Sequence, residues 1–419
     1  MALFPPYIIE HIHFEKRGLD FHFALQVEEQ YYLILWWKEI PLGELFIESG
    51  QRAAKDLPNK ILAAIEPAMD FYLCGRQISS NYKSAWLADD GVEFASEMEK
   101  IFSSFEPDPL PNVLDVSIVI CTRNRSSYLQ RCLVSLQDQQ FLPREIIVVD
   151  NAPVDESTRK TVEQFKEVTY HLESRPGLDI ARNAGARKAI SSIVTYVDDD
   201  VLVHPLLTYR IWETFLKPNV AAMTGLVIAH SLETEAQQIF EKYWSFNRGY
   251  ADKLYNPSFV KKHQEVVRIG AGANMAFRKS VFNNVGYFDE RLDVGAAGCN
   301  GDSEMWYRIL AGGSDVYYNP RAVVYHEHRK ELHALQKQLY NYMRGFAAAG
   351  LIQQAQNKTA DFKKHLYYGL PRYYLNQLAK GFPRYPFRYR TLLSEIRGVL
   401  SGVWYFHKHR KTPSQPLFK

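Results

Sequence analysis

The chain has 419 residues, of which 46% are hydrophobic and 23% are charged, so it can build two or three packed domains and is not a disordered protein. Its formal net charge is only +3, and its four cysteines are scattered, which argues against a disulfide framework or a zinc finger. The sequence has no run of 18 apolar residues and no pattern of a secretory leader. We therefore expect a cytoplasmic protein, either free or associated with the inner face of the membrane.

The N-terminal third predicts a small accessory α+β domain over residues 1–105. Residues Phe21–Trp37 and 44–48 are rich in aromatic and β-branched side chains, as in strands. Apolar residues at helical spacing predict a helix over Asn59–Cys74. Three alternating prolines then exclude both a helix and an interior strand, and we place a linker at residues 106–114.

Short apolar runs alternate with helical segments beyond the linker. The runs at 116–121, 145–150, 168–173 and 193–200 have the character of buried strands. This alternation predicts an α/β domain at 115–330, with a mostly parallel, Rossmann-like sheet and helices on both faces. Ligands bind at the carboxyl ends of the strands of such sheets. Polar residues gather at that edge, namely Thr122, Arg123, Asp150 and Asp198–Asp200.

Residues 331–419 predict a helical C-terminal extension that is strongly basic. Residues 358–419 contain 13 Lys or Arg but only two acidic residues, Asp361 and Glu395, so their net charge is +11. The net charge of the remaining chain is −8. A basic, tyrosine-rich segment of this kind could contact an anionic membrane. A helical appendage with a solvated charged face explains the same pattern equally well.

The strongest local signal is the run Asp198-Asp199-Asp200 after a buried strand. Adjacent carboxylates repel one another unless a cation neutralises them, and Mg²⁺ or Mn²⁺ prefers such oxygen ligands. An acidic turn that caps the next helix is the alternative. The alternating His326 and His328, at the end of another apolar strand, could complete a metal site with Asp200, although such a pair is more often structural.

Other candidates lie between these runs. Asp150 could bind a nucleobase or ribose, or cap the following helix. Arg182, on a helix that begins with a glycine turn, could face a diphosphate. Asp302, where a glycine-rich loop enters a helix, could take a proton from a hydroxyl group; as a helix cap alone it would matter only for stability. Asn274 and Trp306 are candidates for acceptor contacts.

Seven motifs together resemble family 2 glycosyltransferases of GT-A architecture. They are CTRNR at 121–125, VVDNA at 148–152, RPGLDIARNAGA at 175–186, VDDD at 197–200, GANMAFRKSVF at 272–282, GDSEMWYRI at 301–309 and VYHEHR at 324–329. The resemblance implies an inverting transfer that depends on Mn²⁺ or Mg²⁺, from a nucleotide diphosphate sugar to a glycan or lipid-linked acceptor. It implies no nucleic-acid partner.

The resemblance also implies residue roles. Thr122, Arg123 and Asp150 are expected to contact the nucleoside, and Asp198 the ribose or sugar. Asp200 is expected to be the main metal ligand, with His326 as an additional metal or diphosphate contact and Asp302 as the base. Asp199 and Arg182 are expected to complete the donor site. Many relatives have Glu-Asp where this chain has Gly301-Asp302.

Two other functions remain open. A nucleotidyltransferase would share the α/β core and the metal, but the first strand-to-helix loop, CTRNRSSY, has no glycine-rich signature. A non-catalytic carbohydrate-binding protein on a degenerate core is the second alternative, and the retained carboxylates argue against it.

Overall fold

The computed structural model describes residues 4–17, 26, 28–49, 56–75, 78–107, 111–358, 360–381 and 389–410. Within these residues the chain forms an N-terminal α+β region, a central α/β domain with a large mixed sheet, and C-terminal helices. The predicted fold class is confirmed. None of the described helices combines the length and apolarity that crossing a membrane would require.

The N-terminal region contains a three-stranded sheet in the order β1-β2-β3. Its elements are β1 Tyr7–His13, α1 Phe14–Arg17, β2 Gln30–Trp37, β3 Ile40–Ile47, α2 Leu57–Cys74, α3 Tyr82–Leu87 and α4 Gly91–Phe102. The predicted strand start at Phe21 lies outside the described residues. Strand β3 includes Pro41, which was expected to precede it; β3 is an edge strand, where a residue without an N–H is tolerated.

The central domain follows the predicted alternation of strands and helices. Its first elements are β4 Val113–Thr122, α5 Ser126–Gln137, β5 Leu142–Asn151, α6 Ser157–Val162, β6 Val168–Glu173, α7 Leu178–Lys188, β7 Ile193–Asp198, β8 Val201–Val203 and α8 Leu207–Thr214. The later ones are β9 Val220–Ala229, α9 Glu235–Trp244, β10 Lys253–Tyr255, a 3₁₀ segment Pro257–Arg268, β11 Asn274–Arg278, α10 Val281–Asn284, α11 Gly301–Ala311 and β12 Asp315–His326.

The strand order of the large sheet is β10-β12-β9-β11-β7-β4-β5-β6, with β8 paired to β12. Strands β7, β4, β5 and β6 are parallel, so their carboxyl ends meet at one edge. Helix α7 lies close against β4, because a Cβ added to Gly185 would lie 2.3 Å from Val119 Cγ1. A bulkier residue at position 185 would push α7 away from the sheet.

The C-terminal helices cover the same edge of the domain. They are α12 Leu332–Gln356, α13 Phe362–Lys364, a π-helical turn His365–Gly369, α14 Leu370–Gly381 and α15 Tyr389–His409. Helix α15 packs directly on α12, since Cβ atoms added to Gly398 and Gly402 would lie 2.3 and 2.2 Å from the carbonyl oxygens of Tyr340 and Arg344. The N-terminal region also shares a hydrophobic core with β9 and β12. The exact domain boundaries stay a prediction.

Candidate functional site

A cleft of about 1200 Å³ opens at the carboxyl ends of β4 and β7. Most of the site residues predicted from the sequence line it, although they come from distant parts of the chain: Thr122, Arg123, Arg182, Asp198, Asp199, Asp200, Asp302 and His326. Helix α12 contributes another wall through Lys337, Gln338 and Asn341. The cleft is therefore formed by the central domain together with the C-terminal extension.

The acidic run lies in a turn between two strands. Strand β7 ends at Asp198, and Asp199 and Asp200 lead directly into β8. Helix α8 begins only at Leu207, so the alternative of an acidic turn capping that helix does not apply. Strand β8 pairs with β12 so that Val201 lies opposite His326. This register brings the imidazole next to Asp200.

Asp198, Asp200 and His326 form a cluster that could hold a metal ion. Their ligand atoms lie within 4.8 Å of one another, and His326 Nε2 is 3.4 Å from Asp200 Oδ1. That carboxylate oxygen is buried and accepts no hydrogen bond, which is costly without a cation. Burial lowers the pKa of His326 to about 4, so the imidazole is neutral at neutral pH and has a free lone pair. These residues fit a divalent cation.

The carboxylates of the acidic run differ in their titration. Burial raises the pKa of Asp198 to about 7, with a further contribution from the charge of Asp200. Burial would also raise the pKa of Asp200, but the neighbouring charges of His326 and Arg125 outweigh it and lower that pKa. Since His326 is neutral at neutral pH, Arg125 is the cation that acts on Asp200 there. Asp200 is thus the carboxylate best kept as an anion.

Arg125 is a site residue that the sequence reasoning missed. Its guanidinium donates to Asp199 Oδ1 at 2.6 Å and to Asp200 Oδ2 at 2.7 Å. The Thr122 hydroxyl donates to Asp199 Oδ2 at 2.6 Å. Both oxygens of Asp199 are therefore engaged within the protein. The signal was present in the sequence, because Arg125 belongs to the same loop as Thr122 and Arg123.

Asp302 lies in the first turn of α11 and faces the cleft. The cap position of this helix is Asn300, so Asp302 is not the cap. Its Oδ1 accepts from the backbone N–H of Ser303 at 2.6 Å. Burial raises the pKa of Asp302, and the charge of Arg182 partly opposes that rise. Glu304 forms a buried ion pair with Arg308 at 2.8 Å instead, so it does not compete for the role of base.

Arg182 is fixed beside Asp302 by two carboxylates that were not predicted. Its Nη1 donates to Asp179 Oδ1 at 2.9 Å and to Asp293 Oδ2 at 2.6 Å. A Cβ added to Gly272 would lie 2.7 Å from Arg182 Nη2 and 3.2 Å from Asp302 Oδ2. The absence of a side chain at position 272 therefore leaves room for both groups. Asp293, in a loop, gave no spacing signal in the sequence.

Three predicted residues do not line the cleft. Asp150 is fully buried, and its Oδ2 accepts from the Tyr170 hydroxyl at 2.9 Å. Asn274 donates to the carbonyl oxygens of Leu226 and Ala322 and so links β9 to β12. Trp306 is 0% exposed within the hydrophobic core. The position of Asn274 and Trp306 gives no support to a role in acceptor contacts.

Residues 117–286 match the family model described as glycosyl transferase family 2. The chain is 27% identical over 259 residues to the pre-mycofactocin glycosyltransferase of Mycobacterium tuberculosis, covering 61% of this chain and 51% of that protein. It is 26% identical over 232 residues to the glucosyl-dolichyl phosphate glucuronosyltransferase of Haloferax volcanii, covering 51% of this chain and 69% of that protein. The chain thus spans about half the length of the mycobacterial relative.

Among solved structures, the chain is similar to the mannosyltransferase PcManGT from Pyrobaculum calidifontis in complex with GDP-Man and Mn²⁺. The TM-score is 0.45 at 19% identity, and the match covers 69% of this chain and 87% of that chain. GalNAc-T7 with UDP, GalNAc and Mn²⁺ matches with a TM-score of 0.39, also at 19% identity, over 52% of this chain and 43% of that chain.

Proposed function

We propose that the protein is an inverting, metal-dependent glycosyltransferase, because residues 117–286 match the family model of glycosyl transferase family 2. It transfers a sugar from a nucleotide diphosphate donor to a hydroxyl group of a glycan or lipid-linked acceptor. One observation carries the proposal: the metal cluster of Asp198, Asp200 and His326 and the carboxylate of Asp302 line the same cleft.

The metal cluster marks the donor end of the cleft. Asp198, Asp200 and His326 would hold Mn²⁺ or Mg²⁺. A bound divalent cation would supply the positive charge that stabilises a departing diphosphate. Arg125 holds Asp200 in place through its hydrogen bond, and Thr122 and Arg123 lie beside it for contacts with the nucleoside. Asp150 is kept as a nucleoside contact on the resemblance alone.

Asp302 provides the base for an inverting transfer. A single displacement needs one group that accepts the proton of the acceptor hydroxyl as the new bond to the anomeric carbon forms. Burial raises the pKa of Asp302 and so makes its carboxylate a better proton acceptor. Ser303 fixes one carboxylate oxygen, which leaves the other oxygen for the acceptor. Arg182 would stabilise negative charge beside it.

Thermal denaturation in the presence of nucleotide diphosphates tests this function directly. We expect UDP or GDP to raise the melting temperature when Mn²⁺ is present and to have little effect with EDTA, because a ligand that binds only the native state stabilises it. The nucleotide that stabilises most then identifies the donor to use for turnover. No stabilisation by any nucleoside diphosphate with Mn²⁺ or Mg²⁺ would contradict the proposal.

We also propose that the C-terminal helices bind an anionic membrane, so that the acceptor is lipid-linked. Tyr389, Leu393, Leu400 and Trp404 are exposed and repeat at helical spacing along one face of α15. Arg397 is exposed on the same face. The acidic residue of this helix, Glu395, is fully buried. An apolar face with cations and no exposed acid fits anionic headgroups.

The cleft reaches α14, the helix that precedes α15. Tyr373 of α14 both lines the cleft and is 42% exposed, and the same helix also carries the exposed Leu375 and Leu378. A lipid-linked acceptor could therefore reach the cleft from the membrane. The name of the haloarchaeal relative includes a dolichyl phosphate, which is consistent with such an acceptor.

Removing the apolar face of α15 should release the protein from anionic vesicles. We expect a double variant, Leu400→Ser with Trp404→Ser, to lose most co-sedimentation with phosphatidylglycerol vesicles. Leu216→Ser with Leu254→Ser is the matched control, because both leucines are exposed on the central domain. Phosphatidylcholine vesicles should bind the wild type weakly. Equal binding of the two double variants would rule out this face.

A further inference from the structure

A chain of buried polar side chains leads from the metal cluster away from the cleft. His326 Nδ1 lies 3.1 Å from His328 Nδ1, and His328 Nε2 lies 2.7 Å from Glu241 Oε2 of α9. The three residues are 6%, 4% and 5% exposed, respectively. The rings of Phe240 and Phe246 pack against His328 and His326, respectively. Each polar atom therefore depends on its protein neighbour for a hydrogen bond.

The direction of these hydrogen bonds decides which nitrogen of His326 is free. The carboxylate oxygen of Glu241 accepts, so His328 Nε2 carries a proton and donates it. In a neutral His328 the other nitrogen, Nδ1, then has the lone pair and accepts from His326 Nδ1. His326 Nε2 is left without a proton and faces Asp200 Oδ1. This is the tautomer that a metal ligand needs.

The chain continues into the N-terminal sheet. Glu241 Oε1 accepts from the Ser245 hydroxyl at 2.7 Å and lies 3.4 Å from the hydroxyl of Tyr32 on β2. Tyr32 in turn donates to Glu44 on β3. Glu44 also accepts from Asn247 at 2.8 Å, so the segment after α9 is attached to the same carboxylate. The accessory sheet and the metal cluster are thus linked by a continuous series of polar contacts, of which the 3.4 Å contact between Tyr32 and Glu241 is the longest.

We propose that Glu241 and His328 are positioning residues that hold His326 in its metal-binding tautomer, and that the N-terminal sheet supports them through Tyr32 and Glu44. This inference rests on the proposed function of Asp198, Asp200 and His326 as a metal site. It gives the accessory region a role in metal binding, although none of the described residues of that region belongs to the metal cluster. Hydrogen-bond partners of this kind orient the ligand and raise its affinity for the metal.

The affinity for Mn²⁺ alone, measured from the EPR signal of free Mn²⁺ without nucleotide, tests the proposal. His328→Phe keeps an aromatic ring between the phenylalanines but removes the acceptor of the His326 proton. We expect it to weaken Mn²⁺ binding by about 10- to 100-fold. His204→Phe is the matched control, because His204 is a buried histidine that pairs with Glu39 of the N-terminal region at 2.9 Å and is not a member of the metal cluster.

The possible outcomes distinguish a failure of this inference from a failure of the proposed metal site on which it rests. Wild-type affinity for Mn²⁺ in a folded His328→Phe protein would overturn the inference and leave the metal site intact. Failure of the wild type itself to bind Mn²⁺ would instead overturn the proposed metal site. Nitrogen-15 NMR of histidine side chains in the metal-free wild type gives a test without any substitution. A His326 that carries its proton on Nε2 would overturn the inference.

The part played by the N-terminal sheet has its own test. Tyr32→Phe removes only the hydroxyl between Glu44 and Glu241, and we expect Mn²⁺ affinity to fall several-fold, less than in His328→Phe, because Glu241 keeps its bond to Ser245. Tyr31→Phe, on the same strand, removes a hydroxyl that accepts from the backbone N–H of Gln26 instead. Equal affinities of these two variants would overturn the role of the sheet.

Discussion

Replacing Asp302 by Asn should remove nearly all sugar transfer while the protein still binds Mn²⁺ and nucleotide. An asparagine side chain can accept the hydrogen bonds from Ser303 that hold Asp302 in place, so the fold of α11 should survive. It cannot take a proton from an acceptor hydroxyl. Loss of a general base lowers the rate by about 10²- to 10⁴-fold. We therefore expect a loss of this size in kcat.

Turnover of the wild type and of the variant is measured at several pH values. The donor is the one whose nucleotide stabilises the protein most in thermal denaturation. Burial raises the pKa of Asp302, and a base acts only when it is deprotonated. Wild-type turnover should therefore fall as the pH drops through that raised pKa, and the residual turnover of the variant should lack this dependence. Asp315→Asn, at the far end of β12 from His326, is the control. Unchanged kcat in Asp302→Asn would remove Asp302 from the mechanism.

Replacing Asp200 by Asn should greatly weaken the response of the protein to Mn²⁺. Asp200 Oδ1 is buried, lies 3.4 Å from His326 Nε2 and accepts no hydrogen bond. A buried negative charge without a partner is costly, so a bound cation would stabilise it. An amide oxygen can still accept the bond from Arg125, but it binds a divalent cation more weakly than a carboxylate does. We expect kcat/KM to fall by about 10²- to 10³-fold, which is the usual effect of removing one group that stabilises charge in the transition state.

Two measurements distinguish this effect from a general loss of structure. The melting temperature of the wild type should rise with Mn²⁺, whereas that of Asp200→Asn should stay constant over the same concentrations. Raising Mn²⁺ should recover part of the activity, because Asp198 and His326 remain. Asp315→Asn should behave like the wild type in both measurements. A wild type that is equally active in EDTA would contradict the metal-dependent reaction.

The large α/β sheet could be predicted from the sequence because its signals are local. The runs at 116–121 and 145–150 and residues 193–198 of the fourth run lie in strands that are mostly buried, as in the interior of a parallel sheet. The run at 168–173 forms β6 at the edge of the sheet, where its residues are only partly buried or exposed. The N-terminal strands were less well bounded, and Pro41 was taken as a break although it lies in an edge strand. The antiparallel insertion of β11 between β7 and β9 was not predicted, because it depends on contacts between distant segments.

The residues of the cleft show the same difference. Those that belong to local sequence motifs were predicted, whereas those placed by contacts with distant residues were not. The carboxylates of Asp198, Asp200 and Asp302 were identified from runs and turns beside them, and they do line one cleft. Arg125 and Asp293 were missed, because their partners lie 74 and 111 residues away in the chain. Trp306 was predicted as a candidate for acceptor contacts and lies in the core, since the orientation of a helix is set by what it packs against.

The sequence by itself indicated the resemblance to a family, the alternation of strands and helices, and the chemical types of the groups in the cleft, because each is contained in contiguous motifs. Only the tertiary structure decided which groups meet. It turns His326 toward Asp200 and His328 toward Glu241, although both histidines lie at the end of one apolar run. The physical reason is that hydrogen bonds need their two heavy atoms within about 3.2 Å of each other, and the packing of sheets and helices sets those distances.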